Sequence, residues 1–399
     1  MNTSIFDNKP LSDMVVLDFT QILGGPYCTK LLSDLGAYVI KVESCSGDHY
    51  RCRAPFRGTM STIFSQLNRG KVSLSIDMKS KEGFQIISNL ASTCDILVEN
   101  FRPGVMDRLG LSYESVSLKN PKVIYCSITG FGTQGPLSHK AALAPIIHAY
   151  SGFDRILSQP NVGENSTSFI KNPHLIADVL GGKSAFSAIL VALLSRLKSN
   201  KGDRVVISLL DVMLSLQQFD FINAQVAENK KPQLLYRSIN ASDEPIIVAP
   251  TTDKNFSSLC HAICRPDLLI DPLFCSVEKR ECNWDVLMKE IELWSETLPA
   301  EVCENILNDA GVPAARYLTI EQIISHPHMR SNPFFHEVVD NFGTYLGMGL
   351  PFLLTRVGQP LSSGECVLGG GNREVLQNFL GYDEDFISSL LHNKVIFQS

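Results

Sequence analysis

Strand-like and helix-like patterns alternate through the first half of this 399-residue chain, and this alternation constrains its fold more than any other feature. The apolar run "MVVLDF" is typical of a buried strand, "GPYCTKLLSDLG" of a helix that ends at glycine, and "AYVIKVE" of the next strand. "VSLSID" and "DILVEN" continue the series on either side of another helical stretch. Because parallel strands need crossover connections between them, the sequence predicts an α/β domain with a parallel sheet.

The pattern changes near residue 225. There is no glycine from Asp203 to Ala310, although the chain contains 27 glycines, and helical stretches here mix with short strand-like ones. An apolar strand pattern returns close to residue 333. We therefore predict a large domain made of residues 1–224 and 333–399, with a smaller α+β domain at 225–332.

The composition is that of an ordinary globular protein. The chain is 44% hydrophobic and carries a formal net charge of -6, which argues against non-specific nucleic-acid binding. No apolar run approaches the roughly 20 residues that span a bilayer. The first residues lack the charged and apolar regions of a signal peptide. We predict a cytoplasmic protein with neither nucleic acid nor membrane as a partner.

The cysteines favour reduced thiols. They number 11 and are irregularly spaced, which does not suit a disulfide framework. The tightest group is Cys260 and Cys264 around His261, and it lacks the second pair of ligands that a zinc site needs. We expect these cysteines to be buried apolar residues, and we predict no metal.

Two loops that follow predicted strands are candidates for ligand binding. In "TQILGGPY" a glycine pair opens a helix, whose free amides can receive an anion or a developing oxyanion, but a simple tight turn explains it equally well. The turn lacks the G-x-G-x-x-G pattern of dinucleotide sites. In "VENFRPGVMDRLG" Asn100, Arg102 and Arg108 follow a strand, where open α/β sheets bind ligands. Arg69 and Lys71 add positive charge, and a solvated basic surface is the alternative for all these cations.

Asp178 is an acid between apolar residues, in "HLIADVLGGKSAF". A carboxylate is ionised at neutral pH, and partial burial without a partner costs free energy that is usually tolerated at functional sites. The alternative is an N-cap, in which Asp178 bonds amides further along and starts the helix. Local spacing leaves both interpretations open.

Six motifs occur in order in the first half of the chain: "VVLDFTQILGGPYCTKLLSDLGAYVIKVE", "GDHYR", "NRGKVSLSIDMKSKEG", "DILVENFRPGVMDRLGL", "NPKVIYCSITGFG" and "ADVLGG". Together they resemble the class III CoA-transferases, a family that includes formyl-CoA:oxalate CoA-transferase, carnitine CoA-transferase and the 2-methylacyl-CoA racemases. The similarity resumes in "GVPAARYLTIEQIISHPHMR" and near the C-terminus.

The resemblance implies a Rossmann-like large domain, a small domain, and two chains interlocked as a homodimer. It implies that Asp178 is the acyl-accepting nucleophile, and that coenzyme A enters as the acyl-CoA substrate, with no metal or nicotinamide. Ser44 stands where the family often has a basic residue, so one adenosine-phosphate contact is missing or replaced. The CoA contacts that the resemblance implies are Leu23, Gly24, Ile76, Asp77, Met78, Lys79, Asn100, Phe101, Arg102, Arg108 and, by a looser match, Lys140.

The implied reaction passes CoA from a donor to a small carboxylic acid acceptor, through an aspartyl mixed anhydride and an aspartyl-CoA thioester. Backbone amides near Gly24 or near Gly181 and Gly182 are candidates for the oxyanion donors. The racemase branch instead pairs a histidine with an aspartate at positions that are Leu143 and Ala144 here, and His148 is out of register. A family member that binds CoA without chemistry is the third alternative.

The substrates follow less directly. Oxalate-type members carry a glycine-rich loop in the small domain, and its absence here argues against oxalate and formyl-CoA. We expect succinyl-CoA or acetyl-CoA as the donor and a small acid such as itaconate or mesaconate as the acceptor. Arg53, Arg57 and Arg102 are candidates to hold a distal carboxylate.

Overall fold

The computed structural model describes residues 9–158, 172–226, 236–358 and 362–398. Residues 1–8, on which part of the signal-peptide argument depends, lie outside these ranges. The chain has two compact units, Met1–Phe221 with Pro333–Ser399, and Ile222–Asn332.

The described residues of the first unit begin with eight strands and ten α-helices, the last of which runs across the boundary of the unit. The strands are β1 (Val15–Asp18), β2 (Tyr38–Glu43), β3 (Phe56–Arg57), β4 (Met60–Ser61), β5 (Val72–Ser75), β6 (Ile96–Glu99), β7 (Ile124–Thr129) and β8 (Asp203–Ser208). The helices are α1 (Gly24–Asp34), α2 (Thr62–Asn68), α3 (Lys81–Ala91), α4 (Val105–Arg108), α5 (Tyr113–Lys119), α6 (Ala144–Tyr150), α7 (Phe153–Ser158), α8 (Ile176–Ser199), α9 (Leu209–Leu216) and α10 (Gln218–Asn223).

The second unit is a mixture of short strands and helices around its own core. Its three strands form one antiparallel sheet, and Cys260 is buried in the core as predicted, whereas Cys264 is exposed. The elements are β9 (Arg237–Asn240), β10 (Pro245–Val248), α11 (Asp253–Ala262), α12 (Val277–Cys282), α13 (Trp284–Ser295), α14 (Ala300–Asp309), β11 (Ala314–Arg316), α15 (Ile320–Ser325) and α16 (Pro327–Ser331).

The chain then returns to the first unit. Its last elements are β12 (Phe335–Asp340), β13 (Gly343–Met348), α17 (Asn372–Leu380) and α18 (Glu384–His392). Strands β12 and β13 form a hairpin, and α17 packs against β5 at the edge of the main sheet.

The main sheet has six strands in the order β5-β2-β1-β6-β7-β8, all parallel. Successive side chains of each strand point to opposite faces, and each face is covered by helices. Val16, Ile96 and Cys126 join a core with α1 and α8, whereas Leu17 and Leu97 join a core with α3, α17 and α18. Burial on both faces explains the continuous apolar runs in the sequence, and the predicted α/β class with a parallel sheet is confirmed.

Helix α8 is long and apolar enough to cross a membrane by length and composition alone, with a mean hydropathy of 1.6 over 18 residues. The sequence analysis identified no such run. In the structure α8 packs against α1, α9, β7 and β8, as a core helix of a globular domain does. One side of α8 therefore packs inside the unit, whereas Val191, Leu194 and Leu197 are exposed.

A network of buried charges lies beneath the turn that follows β1. The Asp18 carboxylate accepts hydrogen bonds from Thr20 Oγ1 at 2.5 Å and Thr29 Oγ1 at 2.6 Å, and Lys71 Nζ lies 3.1 Å from it. Lys41 Nζ donates to the Thr20 carbonyl at 2.9 Å and to Asp48 at 3.0 Å. Burial opposes ionisation of Asp18, but the two ammonium groups outweigh it and lower its pKa.

Lys71 therefore belongs to the interior, and its assignment to a basic binding surface is wrong. Its side chain is fully buried, and it also donates to Asn68 Oδ1 at 2.9 Å. Arg69 is likewise buried, with Nε bonded to the Ser362 carbonyl. The hydrophobic pattern of a sequence cannot distinguish a cation in a buried ion pair from a solvated cation. In both cases the sequence shows only a charged residue next to a strand.

We expect Asp18→Asn to destabilise the protein by about 3–5 kcal/mol, because it leaves two buried ammonium groups undercompensated. Urea denaturation followed by circular dichroism measures this loss. The matched control is Glu114→Gln, which removes the exposed Arg204–Glu114 ion pair at 3.2 Å and changes stability by less than about 0.5 kcal/mol. Equal effects of the two substitutions would contradict a structural role for the network.

Candidate active site

The loops after β1 and β6 lie side by side at the carboxyl edge of the sheet. Strand order reverses here, since β2 lies on one side of β1 and β6 on the other. The Gln21 amide donates to Asn100 Oδ1 at 3.0 Å, and Asn100 Nδ2 donates to the Gln21 carbonyl at 2.9 Å. A crevice at such a reversal is the usual ligand site of open α/β sheets.

The turn between β1 and α1 has an unusual backbone that the charge network holds in place. Ile22 has φ of 71°, in the left-handed region that a β-branched residue rarely adopts. Its amide points to the buried Asp48 carboxylate, at 3.3 and 3.4 Å from the two oxygens. Lys41 bonds both Asp48 and Thr20, so the network fixes the turn from below.

Asp178 lies in the first turn of α8, and the N-cap interpretation is wrong. The helix begins at Ile176, and its N-cap is Leu175, which makes no side-chain capping bond. Burial raises the pKa of Asp178 to about 6. Within the described part of the chain this side chain is therefore an acid without a charged partner at the start of a helix, the combination that the functional interpretation anticipated.

Two glycines allow α1 and α8 to meet closely beside this carboxylate. A Cβ atom added to Gly24 would lie 3.5 Å from Asp178 Oδ1 and 3.1 Å from the Asp178 carbonyl oxygen. A Cβ atom on Gly182 would come within 2.4 Å of the Gly24 carbonyl oxygen. The contact between the two helices thus requires a glycine at position 182, and it places Asp178 against the start of α1.

The amides that can stabilise an oxyanion belong to α1. Gly24 and Gly25 are its first two residues, so their amides have no acceptor within the helix. The third residue, Pro26, has no backbone N–H to donate. Gly181 and Gly182 lie well inside α8, where helix geometry bonds each amide to the carbonyl four residues earlier. The expectation that these two glycines could supply oxyanion donors is therefore wrong.

One cavity is lined by Asp178 and by residues of the loops after β1, β6 and β7. Six of these loop residues were predicted to contact CoA, and Gln21 is among the others. Lys140 lines the cavity while donating a short hydrogen bond to the Tyr150 hydroxyl, with Nζ 4.6 Å from the Tyr150 ring centroid. The predicted residues at this cavity are Leu23, Gly24, Asn100, Phe101, Arg102 and Lys140.

The remaining predicted contacts lie elsewhere along the same edge of the sheet. Ile76 is buried and bridges to Ile396, and Met78 packs against the core. Asp77 Oδ1 accepts a hydrogen bond from the backbone amide of Lys79 at 3.0 Å. The Lys79 side chain is exposed. Arg108 is exposed at the end of α4.

The three arginines of "GDHYRCRAPFR" have different surroundings. Arg51 binds Glu43, with Nη2 at 2.6 Å from Oε2, and stacks on Phe64. Arg57 forms two hydrogen bonds with Asp340, at 3.1 and 3.0 Å, which removes it as a free candidate for a distal carboxylate. Arg53 is exposed, and no ion pair of its side chain occurs among the described residues.

Tyr50 connects Arg53 electrostatically with Asp178. Burial raises the pKa of the Tyr50 phenol, the negative charge of Asp178 raises it further, and the positive charge of Arg53 lowers it. Tyr50 is thus within electrostatic range of both groups. Sequence analysis missed Tyr50 and Gln21 as site residues, although both belong to motifs that carried the resemblance.

Known proteins resemble this chain over nearly its whole length. A family model described as CoA-transferase family III matches residues 11–365. The acetyl-CoA:oxalate CoA-transferase of Acetobacter aceti is 33% identical over 80% of this chain and 83% of its own length. The succinyl-CoA:glutarate CoA-transferase of Mus musculus is 30% identical over 98% of this chain and 91% of its own.

A solved structure, that of a CAIB/BAIF family protein from Brucella suis, superposes with a TM-score of 0.81 at 27% identity. It covers 94% of this chain and 100% of its own. The predicted resemblance is therefore confirmed. This chain belongs to CoA-transferase family III, and it is an enzyme of that class.

Proposed function

We propose that this enzyme moves CoA from an acyl-CoA donor to a carboxylic acid acceptor through covalent intermediates on Asp178. The observation that carries the proposal is the Asp178 carboxylate, which has a raised pKa, lines the cavity at the strand-order reversal and lies beside the free amides of α1. A carboxylate with a pKa of about 6 is ionised at neutral pH, yet it is more basic than an ordinary aspartate and so a better nucleophile.

The steps balance without any added reagent. The Asp178 carboxylate attacks the thioester carbonyl of the donor, which releases CoA thiolate and leaves an aspartyl mixed anhydride. The thiolate attacks the aspartyl carbonyl, so the donor acid departs and an aspartyl-CoA thioester remains. The acceptor carboxylate attacks this thioester, and the released thiolate then takes the acceptor acyl group and restores the Asp178 carboxylate.

The amides of Gly24 and Gly25 are suited to the oxyanions of these steps. Each attack turns a carbonyl oxygen into an anion, and loss of one fixed donor typically costs about 10²–10³-fold in rate. The positive end of the α1 dipole adds to their effect. We assign CoA binding to the residues along the sheet edge, of which Asn100, Arg102 and Lys140 line the same cavity as Asp178.

The geometry supports transfer over racemisation. Moving an α-proton needs a second acid or base at the cavity, and the residues in the racemase positions are Leu143 and Ala144, neither of which titrates. His148 is buried behind the cavity and does not line it. A non-catalytic CoA-binding protein would have no need of the raised pKa of Asp178.

We expect Asp178→Asn to reduce CoA transfer by at least about 10³-fold, with the dissociation constant for CoA changed less than about threefold. The substitution should also stabilise the protein. Folding raises the pKa of this carboxyl, so its ionisation opposes folding. The cost is absent below the unfolded pKa, near 4, and complete above about 6. The gain is at most about 3 kcal/mol at pH 8 and roughly half of that at pH 5.

Hydroxylamine trapping during turnover tests the covalent step, because it converts an aspartyl thioester into a hydroxamate that mass spectrometry locates. Urea denaturation of both proteins at pH 5 and pH 8 tests the electrostatic cost. A wild-type enzyme that turns over without an adduct on Asp178, or a gain in stability that is equal at both pH values, contradicts the assignment.

For the acceptor we propose a dicarboxylic acid whose distal carboxylate binds Arg53. Two relatives are named for transfer to oxalate and glutarate, both of which are dicarboxylates. Arg53 is near enough to Tyr50 to act on its pKa, and Asp178 acts on the same phenol. Arg51 and Arg57 are already paired with Glu43 and Asp340. Succinyl-CoA or acetyl-CoA remains our proposed donor.

Arg53→Gln should raise the KM for glutarate or mesaconate about tenfold, while the KM for butyrate, which has no distal carboxylate, stays within about twofold. Steady-state assays with succinyl-CoA and acetyl-CoA measure both values. Lys122→Gln is the control, since it removes an exposed positive charge at the amino end of β7. Equal KM changes for the di- and monocarboxylates would exclude Arg53 as the specificity residue.

We also propose that the enzyme is a cytoplasmic homodimer whose chains interlock. All its cysteines are free thiols, as a reducing compartment maintains. Large apolar side chains are more than half exposed on helices α8 and α10, and exposed apolar patches typically mark a protein interface. They are Val191, Leu194, Leu197 and Phe219.

Leu194→Glu combined with Leu197→Glu should shift the protein from a dimer to a monomer of 44.1 kDa in sedimentation velocity, because charge opposes burial of this face. Leu118→Glu is the matched control, since Leu118 is 85% exposed on α5 and should leave the dimer intact. A wild-type monomer, or dissociation by the control, would exclude this face as the interface.

A further inference from the structure

The helix that carries Asp178 begins without an ordinary cap. Its N-cap, Leu175, has no side chain that can accept a hydrogen bond, and the first amides of a helix have no acceptor within it. His148 supplies one acceptor, since its Nε2 accepts from the Ala177 amide at 3.1 Å. Ala177 directly precedes Asp178, so this bond holds the backbone next to the carboxylate.

The imidazole that makes this bond is itself firmly packed. His148 lies on α6 and is only 2% exposed, and its ring centroid is 5.6 Å from that of Phe153. An imidazole nitrogen accepts a hydrogen bond only when it carries no proton. The bond to Ala177 therefore requires the neutral ring with its proton on Nδ1, and protonation of Nε2 would break it.

We propose that His148 is a positioning residue of the transferase: its neutral imidazole caps α8 and fixes the Asp178 carboxylate against the amides of α1. This inference rests on the proposed function of Asp178. The Gly24 contact explains why position matters, since a Cβ placed there would be only 3.5 Å from Asp178 Oδ1, and a shift of about 1 Å in a reacting group can cost about 10²-fold in rate.

The surroundings of His148 favour the neutral ring. Helices α7, α8 and α9 pack against α6, and the acidic residues in their first turns are Asp154, Asp178 and Asp211. Burial lowers the pKa of His148, and the charge of Asp154 opposes that effect without reversing it. Activity therefore requires two deprotonated groups, Asp178 and His148, and both titrate below neutral pH.

Two substitutions separate capping from packing. In His148→Gln the side-chain oxygen can accept the Ala177 bond, and it does not titrate. In His148→Leu the apolar volume is kept but the acceptor is lost. We expect kcat to fall about 10–100-fold in His148→Leu and to stay within about threefold in His148→Gln, with the KM for succinyl-CoA within about twofold in both.

The pH profile of kcat between pH 4.5 and 8 gives the second readout. The acid limb of the wild-type enzyme should be steeper than that of His148→Gln, because protonation of His148 breaks the bond to Ala177 only in the wild type. The concentration of active sites is measured by CoA titration, so that a partly unfolded His148→Leu sample is not mistaken for an enzyme with a lower kcat. If that variant does not fold, the two slopes still decide.

Equal kcat values for His148→Leu and the wild type, or equal slopes for His148→Gln and the wild type, would overturn the inference. Hydroxylamine trapping on the wild-type enzyme distinguishes this failure from failure of the proposed function. If Asp178 is trapped and the His148 variants behave as the wild type does, only the positioning role is lost. If no hydroxamate forms on Asp178, the proposed function itself is contradicted, and the inference that rests on it falls with it.

Discussion

The buried charge network beneath the β1–α1 turn is the interaction on which the site depends. Asp18, Lys71, Lys41 and Asp48 are almost completely shielded from solvent, and each charge is balanced by a neighbour of opposite sign. Buried ion pairs contribute little net stability, but they specify geometry because alternative arrangements leave a charge unpaired. Here the specified geometry is the strained backbone of Ile22, which directs the start of α1 toward Asp178.

Two opposite electrostatic designs therefore lie within one small region. Beneath the turn, charges are paired and their protonation is fixed. Above it, Asp178 is partly buried and has no cationic partner among the described residues, so its ionisation opposes folding and its pKa rises to about 6. The paired charges hold the backbone in place, and this rigidity keeps the unpaired carboxylate partly buried. On an adaptable loop the carboxylate would move into solvent.

The sequence allowed the fold class to be predicted, because strands buried on both faces and separated by helices produce a pattern that few other folds share. It also identified Asp178 as an unusual acid, but it could not locate the start of α8. No capping residue precedes Ile176, since the cap comes from His148, 29 residues earlier, and such a contact leaves no local signal. Gly181 and Gly182 were interpreted as candidate oxyanion donors, but they are helical residues that permit close packing.

The charged residues show the limit most clearly. Lys71 and Arg57 were candidates for ligand binding, but the structure pairs them with Asp18 and Asp340. The sequence gives the charge of a residue but not the group that it pairs with. For a cation, that partner decides whether the side chain stabilises the fold or is available to bind a ligand. Arg53 differs from Arg51 only in lacking such a partner among the described residues.

The raised pKa of Asp178 also suits a reaction that must run in both directions. The aspartyl carboxylate is the nucleophile in the first step and the leaving group in the last, so its basicity has to be close to that of the acids it exchanges with. A carboxylate far more basic would remain acylated, and one with a lowered pKa would attack slowly. A pKa of about 6 is only moderately above the 4 to 5 of ordinary carboxylic acids. Partial burial beside α1 achieves this small shift, which neither complete burial nor an ion pair would produce.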